Sequence, residues 1–374
     1  MEGTKPRTAS SLGMFDLLKG VGMLLIVFAH TSELYPVGDV STITPVTFFL
    51  FAYRESLMAA FYIASGYGFR KRSIGKCISQ QFKTLFKPYA YTGLATTIAH
   101  FIIHYKTFGN WNNAVYETYK VLGGFVLGLP HTATYFGQEF FSCGPMWYLL
   151  ALMIGWILLD IILNIFPESY IKWAVLGTML LGWGISLVWE APFCIAQGMV
   201  TVPYLYIGFL AKKKRLFEKK FRPLAILGLL AAALGVALGV LLTGKTDCVS
   251  LGEWTMGPVS ILLDGIVGLG FTVLFMKVQR LLDNPVTHLI EAVGRRSLYI
   301  FCIHTVELTA VPWYLMVQKY AAAPTKGLWL QYAVSLGSIF LLCEVLLRRR
   351  DVMLKFFPAR RKHFAEHQRY VAKH

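Results

Sequence analysis

Charge is scarce in this chain. Asp, Glu, Lys and Arg together make up only 15% of its 374 residues, against 56% hydrophobic ones, a balance that excludes an ordinary soluble domain, where about a quarter of residues are charged. Cysteine pairing is missing too. The six cysteines, Cys77, Cys143, Cys194, Cys248, Cys302 and Cys343, form no CxxC pair and no framework spacing, which excludes a disulfide scaffold and a thiolate metal centre. No repeat of roughly 20 to 50 residues and no low-complexity linker divides the chain. The first apolar run lacks a small-residue cleavage site and continues into Glu33 and Tyr35, so no cleavable signal peptide is expected.

What the sequence does hold is a succession of apolar runs, with a mean hydropathy of +0.54. About 20 helical residues cross the roughly 30 Å of hydrocarbon in a bilayer. Ten runs qualify, at roughly 14–35, 46–69, 84–105, 146–166, 170–189, 193–211, 223–243, 256–276, 288–310 and 327–347. Lipid cannot satisfy backbone polar groups, so each reads as a helix. The expectation is an all-α, polytopic integral membrane bundle of about ten transmembrane helices, spanning residues 1–347, followed by a basic cytoplasmic tail, 348–374. The short amphipathic stretch Val115 to Leu129 reads as interfacial or re-entrant.

Basic residues orient this arrangement, because cytoplasmic loops carry the excess of Lys and Arg. With both termini cytoplasmic, inner segments hold 27 of the 36 basic residues and outer loops hold five. That asymmetry also accounts for the net charge of +16 without nucleic acid: a basic face lies against anionic inner-leaflet lipid, and no basic and aromatic interleaving on a soluble domain points to DNA or RNA. Cys143 and Cys248 then fall in outer loops, which leaves one bridge between them open.

The first span carries polar residues that do not suit lipid. In FDLLKGVGMLLIVFAH, Asp16, Lys19 and His30 interrupt an otherwise apolar helix. Ionisable residues within a span are costly and face a bundle interior or water, so each is a functional candidate. At about 100° per residue, Lys19 falls near −60° and His30 near −40° from Asp16, so all three share one face. Gly20 and Gly22 keep that region narrow enough for close approach. The structural alternative is an i,i+3 pair between Asp16 and Lys19, with His30 capping the far end. A buried neutral imidazole, by contrast, can take a proton from a hydroxyl or accept an acyl group.

A second group lies in CIHTVEL, where His304 and Glu307 are i,i+3 neighbours; a carboxylate there can orient the imidazole or simply pack against a neighbouring helix. HFIIH puts His100 and His104 one turn apart, which is metal-ligand spacing. Without a third ligand nearby they read as interfacial histidines, and no metal is expected. Arg54 and Glu55, and the lone acids Asp160, Asp264 and Glu344, need partners that spacing alone does not identify.

Together these residues resemble the acyltransferase 3 family of integral-membrane acyltransferases. Asp16, Lys19, Gly20 and His30 are similar to the family's first-span pattern, with Lys19 standing where many members carry Arg. SLMAAFYIASGYGFRKR, FKTLFKPY, PMWYLLAL, VPYLYIGFLAKK and GRRSLYIFCIHT resemble further family segments in the right order. The resemblance implies a bacterial inner-membrane or plasma-membrane enzyme moving an acyl group, usually acetyl, from cytoplasmic acyl-CoA to a hydroxyl of a cell-envelope glycan, lipid-linked sugar or small acceptor. It implies His30, Lys19 and Asp16 as catalytic residues, and Arg70, Arg72, Lys83 and Lys87 as contacts for the CoA phosphates. Trp147, His304 and Glu307 are then candidates for the acceptor side. The alternative is a multi-pass transporter or flippase, since charged tracks in helix bundles also carry substrates.

Overall fold

The computed structural model describes residues 12–35, 45–219 and 223–356. A short 3-10 turn leads into α1 (Asp16–Glu33), and α2 (Pro45–Ala52), α3 (Arg54–Tyr67) and α4 (Ile74–Gln81) follow. A π-helical turn, Phe82–Phe86, joins α4 to α5 (Lys87–Phe108), and α6 is Trp111–Leu127. Next come α7 (Trp147–Ile165), α8 (Glu168–Val188), α9 (Ile195–Val200) and α10 (Val202–Lys213). The described residues end with α11 (Pro223–Thr243), α12 (Pro258–Leu281), α13 (Pro285–Arg295), α14 (Ser297–Ala310), α15 (Tyr314–Lys319) and α16 (Pro324–Phe356).

Local chemistry marks many of these ends. The Asn110 side chain accepts from the Asn113 amide at 3.1 Å to cap α6, and Asn284 caps α13 through the Thr287 amide at 2.9 Å, each satisfying an amide that has no partner within its own helix. A left-handed glycine stops α5 at Gly109 and α6 at Gly128, where a Cβ would be strained. One departure from an all-helical chain is a hairpin, β1 (Ala133–Tyr135) against β2 (Gln138–Phe140), antiparallel with Ala133 opposite Phe140.

Among the described residues six helices are long and apolar enough to cross a membrane: α1, α7, α8, α11, α12 and α16, some extended by a flanking turn. Taken as one span, α9 and α10 make a seventh, bent by 50° where Pro203 opens the second helix. Three of the ten expected runs have another form. The run 46–69 breaks between α2 and α3 next to Arg54, and 288–310 breaks at Arg296 between α13 and α14. The third, 84–105, is the continuous helix α5, whose threonines and histidines dilute its apolar character. The stretch Val115 to Leu129 lies mostly in α6, a 17-residue helix. α16 runs from Pro324 to Phe356, and residues 357–374 of the expected tail lie outside the described residues.

The helices meet around α3, which packs on both α10 and α12. Tyr62, Leu150, Leu159, Tyr204, Leu205 and Ile261 are fully buried in the core they share. Close approach depends on missing side chains. A Cβ on Gly20 would run into the Ile290 carbonyl of α13, and one on Gly294 of α13 into the Asp16 carbonyl of α1, so these two glycines let the backbones touch. The helices α1 and α3 run antiparallel: Arg54 meets Glu33 at one end, and Tyr67 meets the Phe15 ring edge-on at the other, with centroids 5.4 Å apart.

Gly20→Ala is expected to lower the thermal midpoint of the detergent-solubilised protein, at a cost of about 1–3 kcal/mol for forcing the α1 and α13 backbones apart. Gly177→Ala, where a Cβ meets nothing within 4 Å, serves as the control and should leave the midpoint unchanged or slightly higher.

Candidate active site

The last turn of α1 and the middle of α14 bring two histidines together. The rings of His30 and His304 lie 5.6 Å apart between centroids, tilted by 37°. Each imidazole has a carboxylate one turn later on its own helix. His30 Nδ1 is 3.4 Å from Glu33 Oε2, and His304 Nδ1 is 3.1 Å from Glu307 Oε2. The helical i,i+3 spacing stacks the two side chains of each pair on one face, which is why both pairs form within a single helix.

The two pairs differ in burial. His304 is 1% exposed and Glu307 8%, whereas the His30 side chain keeps 30% of its surface. Glu307 Oε1 accepts from the Ser335 hydroxyl of α16 at 2.7 Å. With its carboxylate held from two sides, Glu307 takes the Nδ1–H of His304 and leaves the lone pair on Nε2. That Nε2 is buried and has no hydrogen-bond partner in the structure, an uncommon state for a buried polar atom.

Glu33 carries the network outward. Its Oε1 is 3.4 Å from the Arg54 guanidinium at the start of α3, and Arg54 Nε lies 3.7 Å from Glu55 Oε1. These contacts identify the partners of Arg54 and Glu55. Next to them, the Ser56 hydroxyl donates to Asp264 Oδ1 of α12 at 2.5 Å. The loop between α11 and α12 covers this end of the bundle. Asp247 Oδ1 accepts from the Thr255 amide at 2.6 Å, and His131 bridges to the same loop, with Nδ1 3.0 Å from the Ser250 carbonyl and Nε2 2.6 Å from Glu190 Oε1. The Tyr135 hydroxyl of the hairpin donates to the Glu190 carbonyl.

Cys248 sits in that covering loop, paired through its backbone with Glu253. The Cys143–Cys248 bridge left open by sequence is absent, and all six cysteines are free thiols. The Cys248 sulfur lies 3.2 Å from the Ser250 hydroxyl, while Cys143 is in side-chain contact with Cys194 instead. Burial pushes the Cys248 thiol up from its ordinary value, with the Glu55 carboxylate adding to the shift, so it stays protonated and is a poor nucleophile.

At the opposite end of α1, Lys19 Nζ makes a 2.8 Å ion pair with Asp16 Oδ1, and Arg295 of α13 approaches Asp16 Oδ2 at 3.8 Å. The structural alternative weighed for Asp16 and Lys19 is therefore present as geometry. Lys19 is about 16 Å and Asp16 about 21 Å along the helix from His30, and neither touches it. Basic residues collect around this end. Arg70 and Lys71 are exposed just beyond α3, the Arg72 amide is held by Asp160 Oδ1 at 2.9 Å, and Lys212 lies near Arg70 and over the Tyr67 ring. Lys83 on the π-turn and Lys87 at the start of α5 are exposed, on a segment that packs against α7. Trp147 opens α7 and is buried; the turn before it lies against α14, where a Cβ on Gly144 would stand 3.3 Å from Thr309 Oγ1.

The two histidines of HFIIH are engaged with α6: His100 Nδ1 is 2.9 Å from the Thr118 hydroxyl, and His104 Nε2 accepts from the Asn113 side-chain Nδ2 at 3.0 Å. Among the described residues no group of three or more His, Cys, Asp and Glu could hold a metal ion. Sequence reasoning missed Glu33, Arg54 and Ser335 as members of the site. One signal was there to be read: HTSE at 30–33 and HTVE at 304–307 are the same His-Thr-x-Glu tetrapeptide.

A membrane-embedded helical bundle with paired, carboxylate-backed histidines at one end and a basic rim at the other has the parts of a group-transfer enzyme. The chain belongs to the acyltransferase 3 family: the family model described as an acyltransferase domain matches residues 13–348, nearly the whole length. Comparison with curated proteins and with solved structures returns no match.

Removing the Ser335 hydroxyl as Ser335→Ala leaves Glu307 Oε1 buried without its donor. The expected cost is about 1–3 kcal/mol, measured as a lower unfolding midpoint. Ser338→Ala, whose hydroxyl bonds only to the Ser335 carbonyl of its own helix, should cost less.

Proposed function

We propose that this protein transfers an acyl group, acetyl in the simplest case, from acyl-CoA to a hydroxyl of a cell-envelope glycan, lipid-linked sugar or small acceptor, within the bacterial inner or plasma membrane. Family membership supports the reaction class, and the observation that carries the site is the approach of His30 to His304. The end bearing Asp16 faces the cytoplasm in this reading, with both chain termini on that side, because the basic residues at the ends of α3 and α10 gather there.

The donor's charged portion rests on that basic end. Arg70, Arg72, Lys83 and Lys87 meet the CoA phosphates, with Arg residues suited to bidentate contact and Lys residues acting as point charges. Asp16 and Lys19 hold the inner end of α1 in shape through their ion pair. The acyl thioester then reaches His30, which acts as base on the acceptor hydroxyl or carries the acyl group transiently. Trp147, His304 and Glu307 form the wall on the acceptor side. Both products leave without any metal being required by this chemistry.

Incubation of the purified full chain with radiolabelled acetyl-CoA in native membrane extract should release CoA and label an acceptor. His30→Ala is expected to reduce transfer at least about 100-fold while the protein still inserts and folds; wild-type rates in that variant would remove His30 from the chemistry. Lys19→Arg should retain most activity, since one charged contact to Asp16 suffices, and Lys19→Ala should lose more. Equal loss in both would overturn the role given to this charge. Transport of an acceptor across proteoliposomes with no CoA release would favour a flippase.

A further inference from the structure

We infer that His304 is a second catalytic histidine, the group that removes the proton from the acceptor hydroxyl, and that His30 is the residue that carries the acyl group. This inference rests on the acyl-transfer reading and chooses between the two roles that reading leaves to His30. The geometry differs between the two rings in the respect that matters. Glu307, fixed by Ser335, holds the His304 Nδ1–H, and Nε2 is left as a buried lone pair with no partner. A base needs a free lone pair of fixed direction within reach of the proton it takes. His30 stands across a 5.6 Å ring separation, with 30% of its side chain exposed and Glu33 3.4 Å from its Nδ1, so it is the ring that an incoming donor can reach.

Two steps follow, and both balance. First, His30 Nε2 attacks the thioester carbonyl; the N–C bond forms, the C–S bond breaks, and the sulfur leaves with the electron pair as thiolate and takes a proton from water. The ring keeps its Nδ1 proton, and Glu33 offsets the positive charge of the acylated imidazole. Second, the acceptor hydroxyl attacks the same carbonyl while its proton passes to His304 Nε2. The O–C bond forms, the N–C bond breaks, and the electron pair returns to His30. His304 then carries the proton beside Glu307 and gives it up to water. Donor and acceptor never need to meet in this scheme, which suits reactants arriving from opposite ends of one helix. Glu307 and Ser335 act through His304 and are positioning residues.

The test separates the two steps with acetyl-CoA as the only probe. In detergent-solubilised full-length His304→Gln, radiolabelled acetyl-CoA should release about one CoA per protein in a burst and leave the label bound to the chain, removable by hydroxylamine. Steady turnover in membranes should fall at least about 100-fold. The double variant His30→Ala, His304→Gln should neither burst nor retain label. Glu307→Gln should slow turnover at least about tenfold and shift its pH profile, and it serves as the reporter should His304→Gln elute as aggregate. Wild-type turnover in His304→Gln, a folded His304→Gln without a burst, label retained without His30, or an unshifted pH profile in Glu307→Gln would each overturn the inference. Absence of CoA release by the wild-type protein is a separate result, which would overturn the acyl-transfer reading itself.

Discussion

A carboxylate buried among apolar helices is costly unless it is held by donors, and Glu307 has two. His304 comes from its own helix and Ser335 from α16. This three-residue contact ties α14 to α16, sets the orientation of the His304 ring, and through that ring defines the space facing His30. Glu33, by contrast, is exposed over about half of its side chain; it lies between the imidazole of His30 and the guanidinium of Arg54 and so links α1 to α3. Charged contacts thus tie α1 to α3 and α14 to α16, and the approach of the His30 and His304 rings joins the two sets.

The polar contacts hold only because apolar packing brings the helices close enough. Gly20 and Gly294 let α1 and α13 touch, and α13 leads directly into α14. The position of His304 relative to His30 therefore depends on a backbone contact near the far end of α1. On the other side, α3 fills the centre between α10 and α12, with Tyr62 and Tyr204 buried against each other at 6.2 Å between ring centroids. At the end bearing His30, loops are cross-linked by polar contacts such as His131 with Glu190 and Ser250, which keep the covering loop between α11 and α12 in place over Arg54 and Glu55.

Much of this was legible in the sequence, and the limits have physical causes. The helical class and the shared face of Asp16, Lys19 and His30 followed from composition and a period of 3.6, both local properties. The pairing of His304 with Glu307 was visible for the same reason. The meeting of His304 with His30 was not, because it depends on how α14 packs and no spacing encodes that. Hydropathy windows also smooth over short breaks, so the interruptions beside Arg54 and at Arg296 fell inside runs that read as continuous. The two thiols in contact, Cys143 and Cys194, escaped notice because the kink before α9, with Phe193 and Cys194 in the left-handed region, carries no glycine to announce it.

The continuity of α1 from Asp16 to Glu33 has one more consequence. An α-helix rises 1.5 Å per residue, so on the proposed reading the segment between Lys19 and His30 works as a gauge of fixed length between a basic rim and the histidine given the acyl group. On the proposed reading, a donor served by both ends must be slender and elongated, with its anionic part at one extremity and its transferable group at the other. A compact activated acid could reach only one end of that gauge, and selection among donors would then operate on length before any contact with the acyl group itself.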